Sequence, residues 1–366
     1  MKSYGLPRWA EIYLLPIVNL FMALVVCGVV VALIGENPIE ALTVMIKGAF
    51  VYKGSLGFTL YYTTNFIFTG LAVATAFHAL MFNIGGEGQA YLGGLGAALA
   101  AFIFGPHLPA IIVIPLVVAS TAAFGALWAL IPGYLQAYRG SHIVITTIMF
   151  NFLAASLMVW LLAGPLMQTG QQSPQTPILP ETAHIAKFSE VFGMAKSPLN
   201  FSFFIALLSL VAFWVLIWKT RLGYEIRATG KNPDAAKYAG INVPRVIMIT
   251  MIISGAFAGM MATNEIMGVH NRAILNFTNG FGFTGIAVAL MGRNHPFGIF
   301  LAALLFGVLF QGGVELDFEF QTITREMVLL IQGMVILFSG ALAYMMAPIL
   351  ARVLRALGVI KGEANG

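Results

Sequence analysis

The chain has 366 residues, 59% hydrophobic and 9% charged, with a formal charge of +5. Soluble domains carry about 45–50% apolar and about 25% charged residues, so this composition excludes the soluble globular class and points to the membrane. The positive balance is not a nucleic-acid signal, because the cations gather on one side of the predicted topology. The single cysteine, Cys27, lies in the first apolar run, which excludes a disulfide framework.

At about 20 residues per membrane span, the chain has room for roughly ten. Hydropathy predicts an all-α, polytopic transmembrane bundle that fills 1–366 as one domain. Its spans fall near 12–34, 57–78, 88–104, 109–131, 142–164, 201–218, 246–263, 275–292, 296–313 and 327–349. The first is too long for a signal-peptide core, and Gly35, Glu36, Asn37 and Pro38 after it make no cleavage site. The eighth is weakly apolar before Gly282, since Asn276, Asn279 and Gly280 precede it. A broken or re-entrant helix is expected there, which is tolerated only where protein or a water-filled cavity covers the backbone.

Lys/Arg asymmetry sets the orientation. With both termini cytoplasmic, the inside segments hold Lys2, Arg8, Arg139, Lys219, Arg221, Arg227, Lys231, Lys237, Arg245, Arg293, Arg352, Arg355 and Lys361. The outside ones hold only Lys47, Lys53, Lys187, Lys196, Arg272 and Arg325. The long outer loop, 165–200, is rich in Gln, Pro, Ser and Thr. It is either a tolerated surface insertion or a landing surface for an external partner.

Chemistry-bearing motifs are scarce. No G-x-x-x-x-G-K-[ST], H-E-x-x-H or serine elbow occurs, and the six histidines lack ligand spacing. No catalytic residue, metal site or bound cofactor is expected. The spans are almost free of charge. Glu87 and Glu265 are the acids nearest the membrane interior, and both are placed at span ends. An ion-coupled carrier would usually carry acids or bases deeper.

The polar island at 219–245 stands out against this background. Asn232 and Pro233 read as an N-cap and first helical residue, and Asp234 complements the helix N-terminus. Gly230 joins them in a turn. Ala235, Ala236, Lys237, Tyr238 and Ala239 then form a short helix stopped by Gly240, with Ile241 just beyond. Small alanines admit another backbone, and Tyr238 can fill a pocket. The island is either an interfacial loop drawn to anionic lipid or a cytoplasmic docking element for a soluble, energy-supplying partner.

The stretch Arg227-Ala-Thr-Gly-Lys-Asn-Pro-Asp-Ala-Ala-Lys-Tyr-Ala-Gly-Ile-Asn-Val resembles the cytoplasmic coupling segment of bacterial ABC importer permeases. The matching branch serves simple sugars, nucleosides and branched-chain amino acids. Phe82-Asn-Ile-Gly-Gly-Glu-Gly-Gln, Gly140-Ser-His-Ile-Val-Ile-Thr-Thr-Ile-Met-Phe-Asn and Gly282-Phe-Thr-Gly-Ile-Ala-Val-Ala-Leu-Met-Gly are similar to the same branch, most of all to its nucleoside-uptake members. The resemblance runs from about 57 to 349. It implies a bacterial inner-membrane subunit that works with a cytoplasmic ATPase, which alone binds ATP. It also implies a second permease subunit and a periplasmic or lipid-anchored binding protein. In that scheme Arg227, Gly230, Asn232 to Ala236, Tyr238, Gly240 and Ile241 couple ATP-driven closure to the spans.

The stretch at 82–89 also reads physically. Gly85, Gly86 and Gly88 permit a tight non-helical backbone. Asn83, Glu87 and Gln89 either cap and turn the chain there or line a path. Asn65, Asn151 and Gln332 are mid-span amides that are costly facing lipid. Each is either an interhelical hydrogen bond or part of a translocation path. Thr63, Thr64, Thr146 and Thr147 share both readings. Tyr61, Phe150 and Phe283 are aromatics able to stack on a ring. Gly93, Gly94, Gly96, Gly255 and Gly259 read as small-residue faces for close helix packing. Two rival classes stay open: an ion-coupled secondary carrier or channel, and a non-transporting membrane scaffold.

Overall fold

The computed structural model describes residues 6–7, 9–10, 14–320, 322–338 and 346–357, and among these no strand forms. Helices α1 (Leu15–Leu33) and α2 (Pro38–Phe50) are followed by α3 (Ser55–Phe77), α4 (Gly86–Phe104), α5 (Ala110–Arg139) and α6 (Ile143–Ala163). The segment after α6 carries a 3₁₀ turn (Glu181–Ala183) and the short α7 (Phe188–Phe192). Next come α8 (Ser202–Lys219), α9 (Arg221–Lys231), α10 (Pro233–Tyr238) and α11 (Val243–Ala262), which continues as a π-helical stretch (Thr263–His270). The last are α12 (Phe281–Met291), α13 (Pro296–Glu319), α14 (Arg325–Ile336) and α15 (Ala347–Ala356). Lys2, Arg8, Lys361 and positions 339–345 of the tenth predicted span lie outside the described residues.

The ten predicted spans fall on α1, α3 to α6, α8 and α11 to α14. Among the described residues, five helices are long and apolar enough to cross a membrane: α5, α6, α8, α11 with its π-helical continuation, and α13. Helices α1 and α2 form a bent pair that passes the same test, with a 118° angle between them. The expected loop after the first span is therefore a helix. Its start uses the Asn-Pro device expected in the island: Asn37 Oδ1 accepts Ile39 N–H at 3.0 Å and Pro38 opens the helix. Gly35, at φ +96°, supplies the turn.

The chain forms two compact units, 52–308 and the joined segments 1–51 and 309–366. In the larger, α3 and α4 are central. Residues 63–76 of α3 are buried on every side, as are 88–98 of α4. Such helices need small and hydroxylated residues for close approach rather than the Leu and Ile of a lipid-facing surface. That is why neither is among the five helices apolar enough to pass as a span by composition. The small residues of α4, α5 and α11 meet directly, with Gly93 against Gly259 and Gly125 against Gly255. Helix α12 has only 11 residues, about 16 Å at 1.5 Å per residue, roughly half the hydrocarbon thickness. Positive φ at Asn276, Asn279 and Gly280 ends the preceding chain, as the weak eighth span suggested.

In the smaller unit, the Cys27 thiol donates to the Ile331 carbonyl at 3.7 Å. Amphipathic α15 buries Ala347, Leu350, Ala351 and Leu354 and exposes Arg352 and Arg355.

Candidate functional site

The island at 219–245 is more helical than its glycines suggested. Thr220 caps α9 through its hydroxyl, which accepts Gly223 N–H at 3.0 Å. Gly230 is no turn residue: it lies inside α9, where an added Cβ would strike the His78 carbonyl. A glycine there lets α9 rest directly on the end of α3. The turn begins at Asn232, whose Oδ1 accepts Ala235 N–H at 3.0 Å to start α10. Pro233 and Asp234 occupy its first turn. Gly240, at φ +82°, ends it. Gly240 N–H then bonds Lys237 O and Ile241 N–H bonds Ala236 O, both at 3.0 Å. These two bonds make a Schellman stop. Arg227 Nε reaches back to Gly223 O at 3.3 Å. Ala236 is buried within the chain, whereas Asp234, Ala235 and Gly240 are exposed and Tyr238 is 95% exposed. The exposed face of α10 is therefore that of Tyr238, with Ala236 packed beneath it.

A second centre forms at 82–89. Asn83 Nδ2 donates to Gln89 Oε1 at 3.0 Å and to Ser254 Oγ of α11 at 2.8 Å. Asn151 of α6 clasps the same stretch. Its Oδ1 accepts Gly88 N–H at 2.8 Å and its Nδ2 donates to Ile84 O at 2.9 Å. The Thr147 hydroxyl accepts Ile84 N–H. Glu87, in the first turn of α4, does not serve only its own helix. Its two carboxylate oxygens accept Gly280 N–H at 2.9 Å and Gly282 N–H at 2.8 Å, the open donors at the start of α12. An acid there satisfies groups that no water in hydrocarbon would reach. The N-termini of α4 and α12 thus converge on one half-buried carboxylate, beside the middle of α3, where Phe281 packs edge-on against Phe66. Asn83, Glu87, Gln89 and Asn151 come together. Phe150 does not join them; its ring packs on Trp128 and its carbonyl accepts the indole N–H at 3.1 Å. Gln332 belongs to the smaller unit, where its Nε2 donates to Leu309 O at 3.4 Å.

Asn65 anchors a third centre that the sequence reading left out. Glu265 is 1% exposed, not at a span end, because α11 continues through it as a π helix. Its Oε1 accepts Tyr61 O–H at 2.6 Å and Asn65 Nδ2 at 2.5 Å, and His270 Nε2 lies 3.4 Å from its Oε2. Asn264 extends the network, donating to Asn65 Oδ1 at 2.9 Å and accepting from Asn200 Nδ2 at 2.8 Å and Ser202 Oγ at 3.0 Å. The sequence signal was the Asn264-Glu265 pair inside an otherwise apolar run. Thr63 and Thr64 spend their hydroxyls on the carbonyls of Thr59 and Leu60, one turn back. Phe283 stays about half exposed.

The loop at 165–200 is pinned to this centre. Thr176 N–H bonds Ala273 O, Leu179 N–H bonds Asn271 O and Ile185 N–H bonds Met267 O, at 2.8 to 3.0 Å. Leu179, Ala183 and Ile185 are buried beneath it. It is a fitted cover over the π-helical stretch, not a loose insertion.

The family model described as branched-chain amino acid transport system permease component matches residues 55–340. The guanosine ABC transporter permease protein NupP of Bacillus subtilis is 36% identical over 89% of this chain and 92% of its own length. The nucleoside ABC transporter permease protein NupB of Lactococcus lactis is 34% identical, over 82% and 83%. The glucose ABC transporter permease protein TsgB13 of Haloferax volcanii is 34% identical, over 91% and 88%. The two nucleoside-related organisms each hold a second, more distant match with the same described activity, at 29% and 28% identity. No solved structure matches.

Proposed function

Because the chain belongs to the family of branched-chain amino acid transport system permease components, we propose that it is the membrane subunit of an ATP-driven importer for nucleosides. The observation that carries this is the likeness to guanosine and nucleoside permeases over more than four-fifths of both chains. The likeness to a glucose permease over a similar span supports a simple sugar as the second reading. The ribose of a nucleoside and a free sugar share hydroxyl chemistry, so neutral amide and hydroxyl linings serve either.

In this reading the chain crosses the inner membrane about ten times with its termini inside. The island lies in the cytoplasm, where the exposed Tyr238 face of α10 enters a cleft of a separate ATPase. Movement of that helix reaches the membrane part by two routes: through α9, seated on the end of α3 at Gly230, and directly into α11. The Asn83, Glu87, Gln89 and Asn151 centre holds the two helix N-termini that border the path. A binding protein supplies affinity from outside, so the permease needs only weak contact with solute. Paired permeases in two of the related organisms support a paralogous partner subunit. Titration of the cognate binding protein with purified nucleosides and sugars tests the solute: preferential binding of a nucleoside is expected, and preference for a free hexose would transfer the assignment to the second reading.

A further inference from the structure

We infer that the chain carries an anionic phospholipid site at the membrane-facing root of the island, between the first turn of α9 and the first two turns of α11. A groove of about 510 Å³ opens there. Its floor carries Leu222, Gly240, Ile241, Val246 and Ile249, and its rim carries Arg221, Glu225, Asn242 and Arg245. The level of the groove is marked by α8, which ends two residues before it. The Lys219 ammonium sits 5.0 Å from the centre of the Trp214 ring, the amphipathic pairing that collects at the headgroup layer.

The two arginines differ. Arg221 Nε is paired with Glu225 Oε1 at 3.0 Å. Arg245 is exposed and has no ion-pair partner among the described residues. Asn242 spends its side-chain oxygen on the Arg245 amide at 3.2 Å, which leaves its side-chain nitrogen as a donor. Arg245 and Asn242 thus offer forked and single N–H donors over an apolar floor that continues along α11. A phosphate matches the fork bidentately, and the acyl chain of the same molecule follows Ile249 into hydrocarbon. A water-soluble anion would leave the floor uncovered, and a neutral lipid would leave the arginine without a counter-charge. Anionic lipid in the cytoplasmic leaflet attracts basic segments placed at its surface. The inference rests on the proposed membrane reading with the island inside and does not depend on the solute.

The test is native mass spectrometry of the purified full-length permease, alone and with its ATPase, after incubation with equimolar phosphatidylglycerol and phosphatidylcholine. Retention of phosphatidylglycerol at least threefold over phosphatidylcholine is expected. Arg245→Gln is expected to abolish that preference, and Arg352→Gln, on α15, to leave it intact. Equal retention of both lipids by the wild type, or an unchanged preference in Arg245→Gln, overturns the site. Loss of retained lipid whenever the ATPase is bound also overturns it, because the groove would then belong to the protein partner. A second variant, Arg245→Lys, guards against misfolding: it keeps the charge but not the fork, and a partial preference is expected.

Discussion

The Glu265 carboxylate accepts the Tyr61 hydroxyl at 2.6 Å, tying the π-helical end of α11 to the N-terminal half of α3. A buried acid without partners would be prohibitively costly, so Tyr61 and Asn65 are the condition of its presence. π-helical stretches often mark functional positions. Here the widened turns bring Asn264 and Glu265 to face α3 and α8 together.

This pairing predicts strong coupling. In a double-mutant cycle, Tyr61→Phe and Glu265→Gln should interact by about 0.5–3 kcal/mol. Thermal unfolding of the purified single and double variants measures it. Additive effects would show that the two side chains act independently.

The Glu87 bridge predicts a graded loss. Glu87→Ala leaves the amides of Gly280 and Gly282 without acceptors, at about 1–3 kcal/mol each. Glu87→Gln retains one acceptor oxygen and should fall between alanine and wild type. The readouts are melting temperature and initial uptake rate, and a wild-type melting temperature for Glu87→Ala would contradict the bridge.

The packing of α4 against α11 and α12 predicts different outcomes at two glycines. A Cβ added at Gly93 would lie 2.6 Å from the Cα of Gly259, a backbone atom that cannot swing aside. Gly93→Ala should therefore cost about 1–3 kcal/mol by overpacking. At Gly86 the nearest atom to an added Cβ is the Gly282 carbonyl oxygen at 3.5 Å, an ordinary contact. Gly86→Ala should be close to neutral. Comparison of the two melting temperatures decides the matter.

The island predicts that its exposed and buried members separate. Tyr238→Ala, at a fully accessible position, should weaken co-purification of the ATPase at least tenfold while the melting temperature stays unchanged. Ala236→Glu buries a charge beneath α10 and should destabilise the segment itself, so its loss of partner binding would come with a lowered melting temperature. Normal ATPase recovery with Tyr238→Ala removes that residue from the interface.

Much of the helical architecture was legible because hydrophobic run length acts locally along the chain. Asn232, Pro233 and Gly240 were equally readable, since capping and positive φ are properties of single positions. The same Asn-Pro signal at 37–38 opens α2, a 13-residue helix that hydropathy alone leaves between the first two predicted spans. Gly230 was misread because a glycine that admits a neighbouring carbonyl looks the same in sequence as one that turns the chain. Glu265 was placed at a boundary because α11 was ended at its last strongly apolar residue. Its partners come from α3, some 200 positions away in the chain, a relationship no local pattern contains. Asn83, Gln89 and Asn151 were recognised as polar outliers, but which atoms they clasp depends on how α4, α6 and α11 pack.

The most direct test of the central claim is uptake of a labelled ribonucleoside into proteoliposomes holding this chain, its paralogue, the ATPase and the binding protein. The account predicts accumulation that requires ATP hydrolysis and persists when ion gradients are collapsed. Accumulation that proceeds without ATP and stops when the ion gradient is dissipated would contradict it.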